Sequence, residues 1–250
     1  MKAITVVVLA TSTILSLACS SKKQRSEQAP APATPPPAID AAAATAPPDT
    51  AAAPPPAPST NVLGFDADPA GQPPKGMTLA RTNGGAMGKW LVRAEADAPS
   101  PPNVLAQLDP DDTNMRFPIA VTDVQLRDVR VSVRCKLTSG KVDQAAGLVV
   151  RYRNENNYYV TRTNALENNV RLYTVKDGKR RQIASWSGPV KANVWHDYAI
   201  EVRGDHIQVF WNGKRVLDHH DGAFTEAGRV GVWTKADSIT YFDDLKTEAL

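Results

Sequence analysis

The chain has 250 residues, 42% of them hydrophobic, with 29 Lys and Arg against 26 Asp and Glu for a formal net charge of +3. Lys2, Lys22, Lys23 and Arg25 flank an N-terminal apolar run, so the remainder is close to charge balance, which argues against nucleic acid as a partner. With only Cys19 and Cys135 present the chain is not a disulfide-stapled scaffold, and the roughly 190 residues after the first sixty suffice for one core, because folding a chain of that size buries about 70% of its surface.

Residues 1–18 read as a signal peptide. Met1-Lys2 supplies positive charge, and residues 4–17 form an apolar stretch of secretory length that is too short to span a bilayer comfortably. The stretch ends in Leu15-Ser16-Leu17-Ala18-Cys19, which resembles the lipobox of bacterial lipoproteins, with Ser16 standing where the pattern has Leu. That resemblance implies cleavage before Cys19, lipidation of Cys19, and anchoring by acyl chains that each contribute about 0.8 kcal/mol per buried methylene. Ser20 follows the Cys, and the absence of Asp there resembles the signal for the outer membrane in a Gram-negative envelope. The expected location is therefore the cell envelope, with the protein held to its membrane by lipid.

Residues 19–60 read as a linker. From Glu27 to Ser59 the sequence is almost entirely Ala, Pro and Thr, including Pro35-Pro36-Pro37 and Pro54-Pro55-Pro56. Such composition offers too little apolar side chain to offset ordering entropy, so a disordered, extended spacer is expected.

Residues 61–250 read as one β domain. Short alternating runs between turn residues predict strands at 89–93, 104–108, 117–121, 130–137, 147–153, 158–163, 170–175, 181–186, 196–202, 206–211, 215–218, 229–233 and 238–246. So many short strands imply two packed antiparallel sheets. Asp177-Gly178 and Asn212-Gly213 predict tight type I′ hairpins, because both central positions need positive φ. Cys135, in mid-strand, reads as an inert buried thiol. Trp90, Trp186, Trp195, Trp211 and Trp233 read as core or sheet-edge packing.

A family resemblance rests on Gly147-Leu148-Val149-Val150-Arg151-Tyr152-Arg153, Asn157-Tyr158-Tyr159, Val209-Phe210-Trp211-Asn212-Gly213-Lys214, the run from Gly228 to Asp237, and Tyr241-Phe242-Asp243-Asp244-Leu245. These segments resemble the concanavalin A-like, laminin-G-like jelly rolls, and within them the 3-keto-disaccharide hydrolase domain family related to family-16 glycoside hydrolases. The resemblance implies an all-β jelly-roll sandwich. It leaves chemistry open, since that fold hosts lectins, carbohydrate-binding modules, glycosidases and adhesion domains.

Placing the hairpin loop at 154–156 pairs Arg153 with Asn157 and Arg151 with Tyr159. Leu148, Val150, Tyr152, Tyr158 and Val160 then face the core. Arg151, Arg153, Tyr159, Thr161, Asn169, Arg171 and Tyr173 share the opposite face as candidate ligand-binding residues, suited to a glycan because rings stack on pyranose C–H faces and Asn and Arg bond hydroxyls. The arginines favour an acidic glycan.

No catalytic residue stands out. The Glu-x-Asp-x-x-Glu run of family-16 glycosidases is absent, and Glu155 and Glu167 fall at opposite ends of one strand, too far apart to cooperate. A β-elimination at an activated sugar stays open. His219-His220-Asp221 has no third histidine at a suitable spacing. Asp243-Asp244 resembles the Asp pair of calcium-stabilised jelly rolls, which implies Asp66 or Asp68 together with Asp244 as ligands, but two or three oxygens fall short of six to eight, so no cofactor is expected. The residues favour an envelope-anchored, non-catalytic glycan-recognition domain over a hydrolase or lyase of the 3-keto-disaccharide type, with protein–protein adhesion as a third alternative.

Overall fold

The computed structural model describes residues 60–250, so the signal peptide, Cys19 and nearly all of the linker lie outside the described residues. Alternating side chains and Gly-containing turns produce fifteen strands and, among the described residues, no helix. The first seven are β1 (Thr60–Leu63), β2 (Met77–Thr82), β3 (Trp90–Ala94), β4 (Asn103–Gln107), β5 (Phe117–Leu126), β6 (Val129–Ser139) and β7 (Ala145–Asn154). They are followed by β8 (Asn157–Asn164), β9 (Asn169–Lys176), β10 (Lys179–Ser187), β11 (Trp195–Arg203), β12 (His206–Trp211), β13 (Lys214–His220), β14 (Gly228–Trp233) and β15 (Ile239–Ala249). Each strand expected from the sequence has its counterpart among β3–β15, while β1 and β2 are additions.

Two antiparallel sheets form the jelly-roll sandwich. One has eight strands in the order β13-β12-β11-β6-β15-β4-β3, with β1 also paired to β15, and the other has seven in the order β10-β9-β8-β7-β14-β5-β2. Leu148, Val150, Tyr159, Val170, Leu172 and Val232 of the smaller sheet pack with Val131, Val133, Cys135, Tyr198, Ile200, Val209 and Phe242 of the larger. Each large side chain so buried contributes about 1.5–3 kcal/mol. Cys135 is fully buried, and that burial raises its thiol pKa far above the ordinary range, so it stays protonated.

Both predicted tight turns form. Asp177 and Gly178 have φ of 50° and 73°, Asn212 and Gly213 of 49° and 77°, and the flanking pairs are Lys176 with Lys179 and Trp211 with Lys214. The β7–β8 hairpin differs from expectation. Val150 pairs with Tyr159 and Asn154 with Asn157, because an irregularity at Arg151, whose φ is 50°, inserts extra residue length into β7. Tyr159 therefore turns into the core, whereas Tyr158, Val160 and Tyr152 face out, the reverse of the sequence assignment.

Candidate functional site

The outward face of the seven-stranded sheet carries the densest chemistry. The pairings Trp233–Gly147–Arg162–Arg171–Ser185 and Gly231–Val149–Val160–Tyr173–Gln182 place these residues in two cross-strand rows. Gly147 is needed in the first row: a Cβ there would lie 2.9 Å from the Thr161 carbonyl oxygen and 3.0 Å from the Trp233 ring. On the side of the sheet away from the other sheet, Phe117, Tyr158, Tyr173 and Trp233 form a second buried apolar cluster with Val149 and Val160. Tyr158 is fixed by a relay: the Trp233 indole donates to its hydroxyl (3.4 Å), which donates to Thr82 Oγ1 (2.6 Å), which donates to the Glu155 carbonyl (2.5 Å). Burial raises the Tyr158 pKa well above the phenolic range, so it is neutral.

Over the aromatic cluster lies Arg180, the second residue of β10. Its guanidinium carbon stands 4.4 Å from the Tyr173 ring centroid, 4.7 Å from that of Phe117 and 5.9 Å from that of Trp233. Nη1 is buried and has no hydrogen-bond acceptor. Arg180 takes part in none of the ion pairs among the described residues, and burial lowers its pKa.

Beside it lies an ionic cluster in which Arg162 Nε and Arg171 Nε are, like Arg180 Nη1, buried without an acceptor. Arg162, 1% exposed, meets Glu167 through two bonds of 3.0 and 3.1 Å and reaches Asn169 Oδ1 at 2.8 Å and Asp143 at 3.5 Å. Arg171 adds a second contact to Glu167 at 3.0 Å, and Lys235 pairs with Asp143. Asp143 is brought into place by Asp237, whose carboxylate accepts the backbone N–H groups of Lys141, Val142 and Asp143. The hydrogen bonds from Arg162 lead the causes that hold Glu167 down at about 2, so it is ionised and a poor proton acceptor.

The sequence-predicted residues separate. Asn169, Arg171 and Tyr173 are on this outward face. Tyr159 and Thr161 are not, which corrects the expectation. The Tyr159 hydroxyl donates to Asp221 Oδ1 at 2.6 Å and accepts the Phe224 N–H at 3.1 Å, and the Thr161 hydroxyl meets that of Tyr198 at 2.7 Å between the sheets. Arg151 is also corrected: fully buried, it donates to the Phe224 and Arg127 carbonyls and to Asp128, tying loops together. Arg153 is exposed at the hairpin end, 5.2 Å from the Phe224 ring centroid. Sequence reasoning missed Arg162 and Arg180 and put Tyr158 on the core side. The Arg180 signal was visible in its position, one residue past an Asp-Gly turn and so cross-strand from Val175.

Asp66 and Asp244 serve the 98–103 loop. Asp66 accepts the Asn103 N–H at 2.9 Å and Asp244 the Ser100 hydroxyl at 3.1 Å. Among the described residues no group of three or more His, Cys, Asp or Glu is placed to hold a metal ion.

A groove of about 580 Å³ lies on the opposite side of the molecule, over the row Phe210–Ala199–Ser132–Lys246–Val62 of the larger sheet. Its cations are already matched: Arg130 with Glu201, Arg134 with Asp197, Lys246 with Glu248. It offers volume without unpaired donors, whereas Arg180 offers an unpaired donor beside rings.

A profile of the 3-keto-alpha-glucoside-1,2-lyase-like domain family matches residues 82–247. The chain belongs to that family. The match takes in β3 to β14 and most of β15, and with them every residue of the aromatic cluster. No curated protein sequence matches the chain. Among solved structures, the carbohydrate binding module CBM66 from Bacillus subtilis is similar with a TM-score of 0.56 at 20% identity, over 70% of this chain and 96% of that one. A Bacillus subtilis protein of unknown function with a galectin-like fold gives 0.48 at 10% identity, over 69% of this chain and 89% of that one. The GH43 protein BlXynB of Bacillus licheniformis gives 0.46 at 15% identity, over 64% and 37%. The first of these likenesses bears on fold, and it agrees with the jelly roll described above.

Proposed function

We propose that the protein is an envelope-anchored glycan-recognition protein, in which lipid on Cys19 and the Ala/Pro-rich linker present the lyase-like domain to a polysaccharide. The observation that carries this reading is the outward face of the seven-stranded sheet, where Tyr173, Phe117 and Trp233 lie together under a guanidinium that has no acid partner among the described residues. The three rings are 0–4% exposed beneath it, so they become platforms for sugar C–H surfaces only when it moves, with donors for hydroxyls adjacent. Four cations, Arg162, Arg171, Arg180 and Lys235, stand against the three carboxylates Asp143, Glu167 and Asp237, and this excess favours an acidic partner. The fold is one that a carbohydrate binding module also uses.

The test is glycan-array binding by the wild type, by an Arg171→Ala/Gln182→Ala double variant of this face, and by Arg134→Ala on the other sheet. Loss in the double variant alone supports the reading; loss in Arg134→Ala alone moves recognition to the opposite groove and removes it. The anchor is checked by labelling with a radioactive fatty acid, which Cys19→Ala must abolish.

Family membership favours a second reading, lyase or hydrolase action on a 3-keto-glucoside or related glycan. Against it, the carboxylates of Asp143 and Glu167 are committed to cations. Mass spectrometry of 3-keto-glucosides and polysaccharides incubated with the protein decides between them, since any cleaved product establishes catalysis.

A further inference from the structure

We infer that Arg180 is a displaceable cover on the aromatic floor, and that on binding it becomes the receptor for the carboxylate of a uronic-acid polysaccharide; this rests on the glycan-recognition reading. Its place in the sheet permits movement. β10 is an outermost strand, paired on one side only, and Arg180 follows the Asp177-Gly178 turn by one residue. The side chain is partly exposed and is held by ring faces rather than by hydrogen bonds, with Nη1 buried and unmatched. A buried donor without an acceptor is a costly arrangement that a ligand oxygen would relieve.

The protein itself supplies no acceptor. Asp143 is taken by Lys235 and Arg162, and Glu167 by Arg162 and Arg171. The missing anion must arrive with the ligand, and a planar carboxylate matches a guanidinium through two parallel bonds. Once Arg180 swings away, the Tyr173 ring, now 4% exposed, opens to stack on the sugar carrying that carboxylate. Gln182 stands beside Tyr173 in the same cross-strand row and is exposed, so its amide can meet ring hydroxyls. Burial also depresses the Arg180 pKa, which fits a guanidinium kept from water with Asp143 near but not bonded to it.

The experiment is affinity electrophoresis of the full-length protein, in neutral detergent, through gels holding polygalacturonate, dextran sulfate or neutral dextran. Wild type, Arg180→Ala, Arg180→Lys and Arg215→Ala, cross-strand from Phe210 on the other sheet, are compared, with thermal midpoints confirming that each is folded. Polygalacturonate is expected to retard the wild type and Arg215→Ala. Arg180→Ala is expected to weaken that binding about tenfold or more, the loss of a charged hydrogen-bonded pair, with Arg180→Lys between. Tryptophan emission, to which Trp233 contributes with four others, is expected to change with polygalacturonate in the wild type but not in Arg180→Ala.

Equal retardation of the wild type by dextran sulfate would overturn the carboxylate assignment in favour of a general anion. Polygalacturonate binding that Arg180→Ala leaves intact would overturn the role of Arg180 alone, and so would binding of dextran only. Absence of binding to all three polymers, together with a blank glycan array, would remove the recognition reading and this inference with it.

Discussion

The outward faces of the two sheets solve the same problem differently. On the eight-stranded sheet every cation named has a carboxylate: Arg130 and Arg134 meet Glu201 and Asp197 on the neighbouring strand and stay partly solvated, and the buried Lys136, between the Trp195 and Tyr241 rings, meets Glu95 and Asp97. On the seven-stranded sheet the ions are sunk among aromatic rings, Arg162 serves two acids, and Arg180 is left over. Matched surface charge keeps a sheet soluble and contributes little else. Buried charge makes a face rigid at one point and leaves it unsatisfied at another, and the unsatisfied point is where a ligand has something to gain.

The largest expected effect comes from removing the buried hub. Arg162→Met takes one cation from each of Asp143 and Glu167, leaving them Lys235 and Arg171, and is expected to lower unfolding free energy by about 3 kcal/mol, whereas Arg134→Ala on the other face costs about 1 kcal/mol or less; urea denaturation of both compares them directly. Equal losses would erase the distinction between the faces. Next is Gly147→Ala, whose new methyl meets the Thr161 carbonyl at 2.9 Å, with an expected loss of about 1–3 kcal/mol in the same assay. Tyr159→Phe should cost about 1–2 kcal/mol by leaving Asp221 and the Phe224 N–H without their partner, with glycan binding unchanged. A loss of binding without a loss of stability would return Tyr159 to the recognition face.

The smallest effect is a pH dependence. The Glu167 pKa is lowered from 4.5 to about 2, so the contribution of its ionised form is complete above about 4.5 and is lost as pH falls toward 2. The gap in thermal midpoint between wild type and Glu167→Gln should therefore be constant at neutral pH and close over that window. A gap that persists at pH 2 would mean that Glu167 acts through packing rather than charge.

Legibility followed the range of the forces involved. Asp177-Gly178 and Asn212-Gly213 were readable because the need for positive φ is local to two residues. The β7–β8 register was not, for two reasons. Val149 and Val150, like Tyr158 and Tyr159, are fully buried on opposite faces, so alternation carries no sign of which side is the interior. The irregularity at Arg151 is stabilised by carbonyls of Phe224 and Arg127, contacts that nothing near residue 151 announces. β1 escaped notice because most of it is exposed, and Arg162 because its partners lie in separate loops.

The strands that end each sheet carry one more consequence. β10 opens with Lys179-Arg180-Arg181 and β13 with Lys214-Arg215, and each is the last strand on its side. Two copies meeting rim to rim along these strands would bring like charges together before any backbone bond could form. At these two of the four sheet ends, pairing with the sheet of a neighbouring copy is opposed by charge.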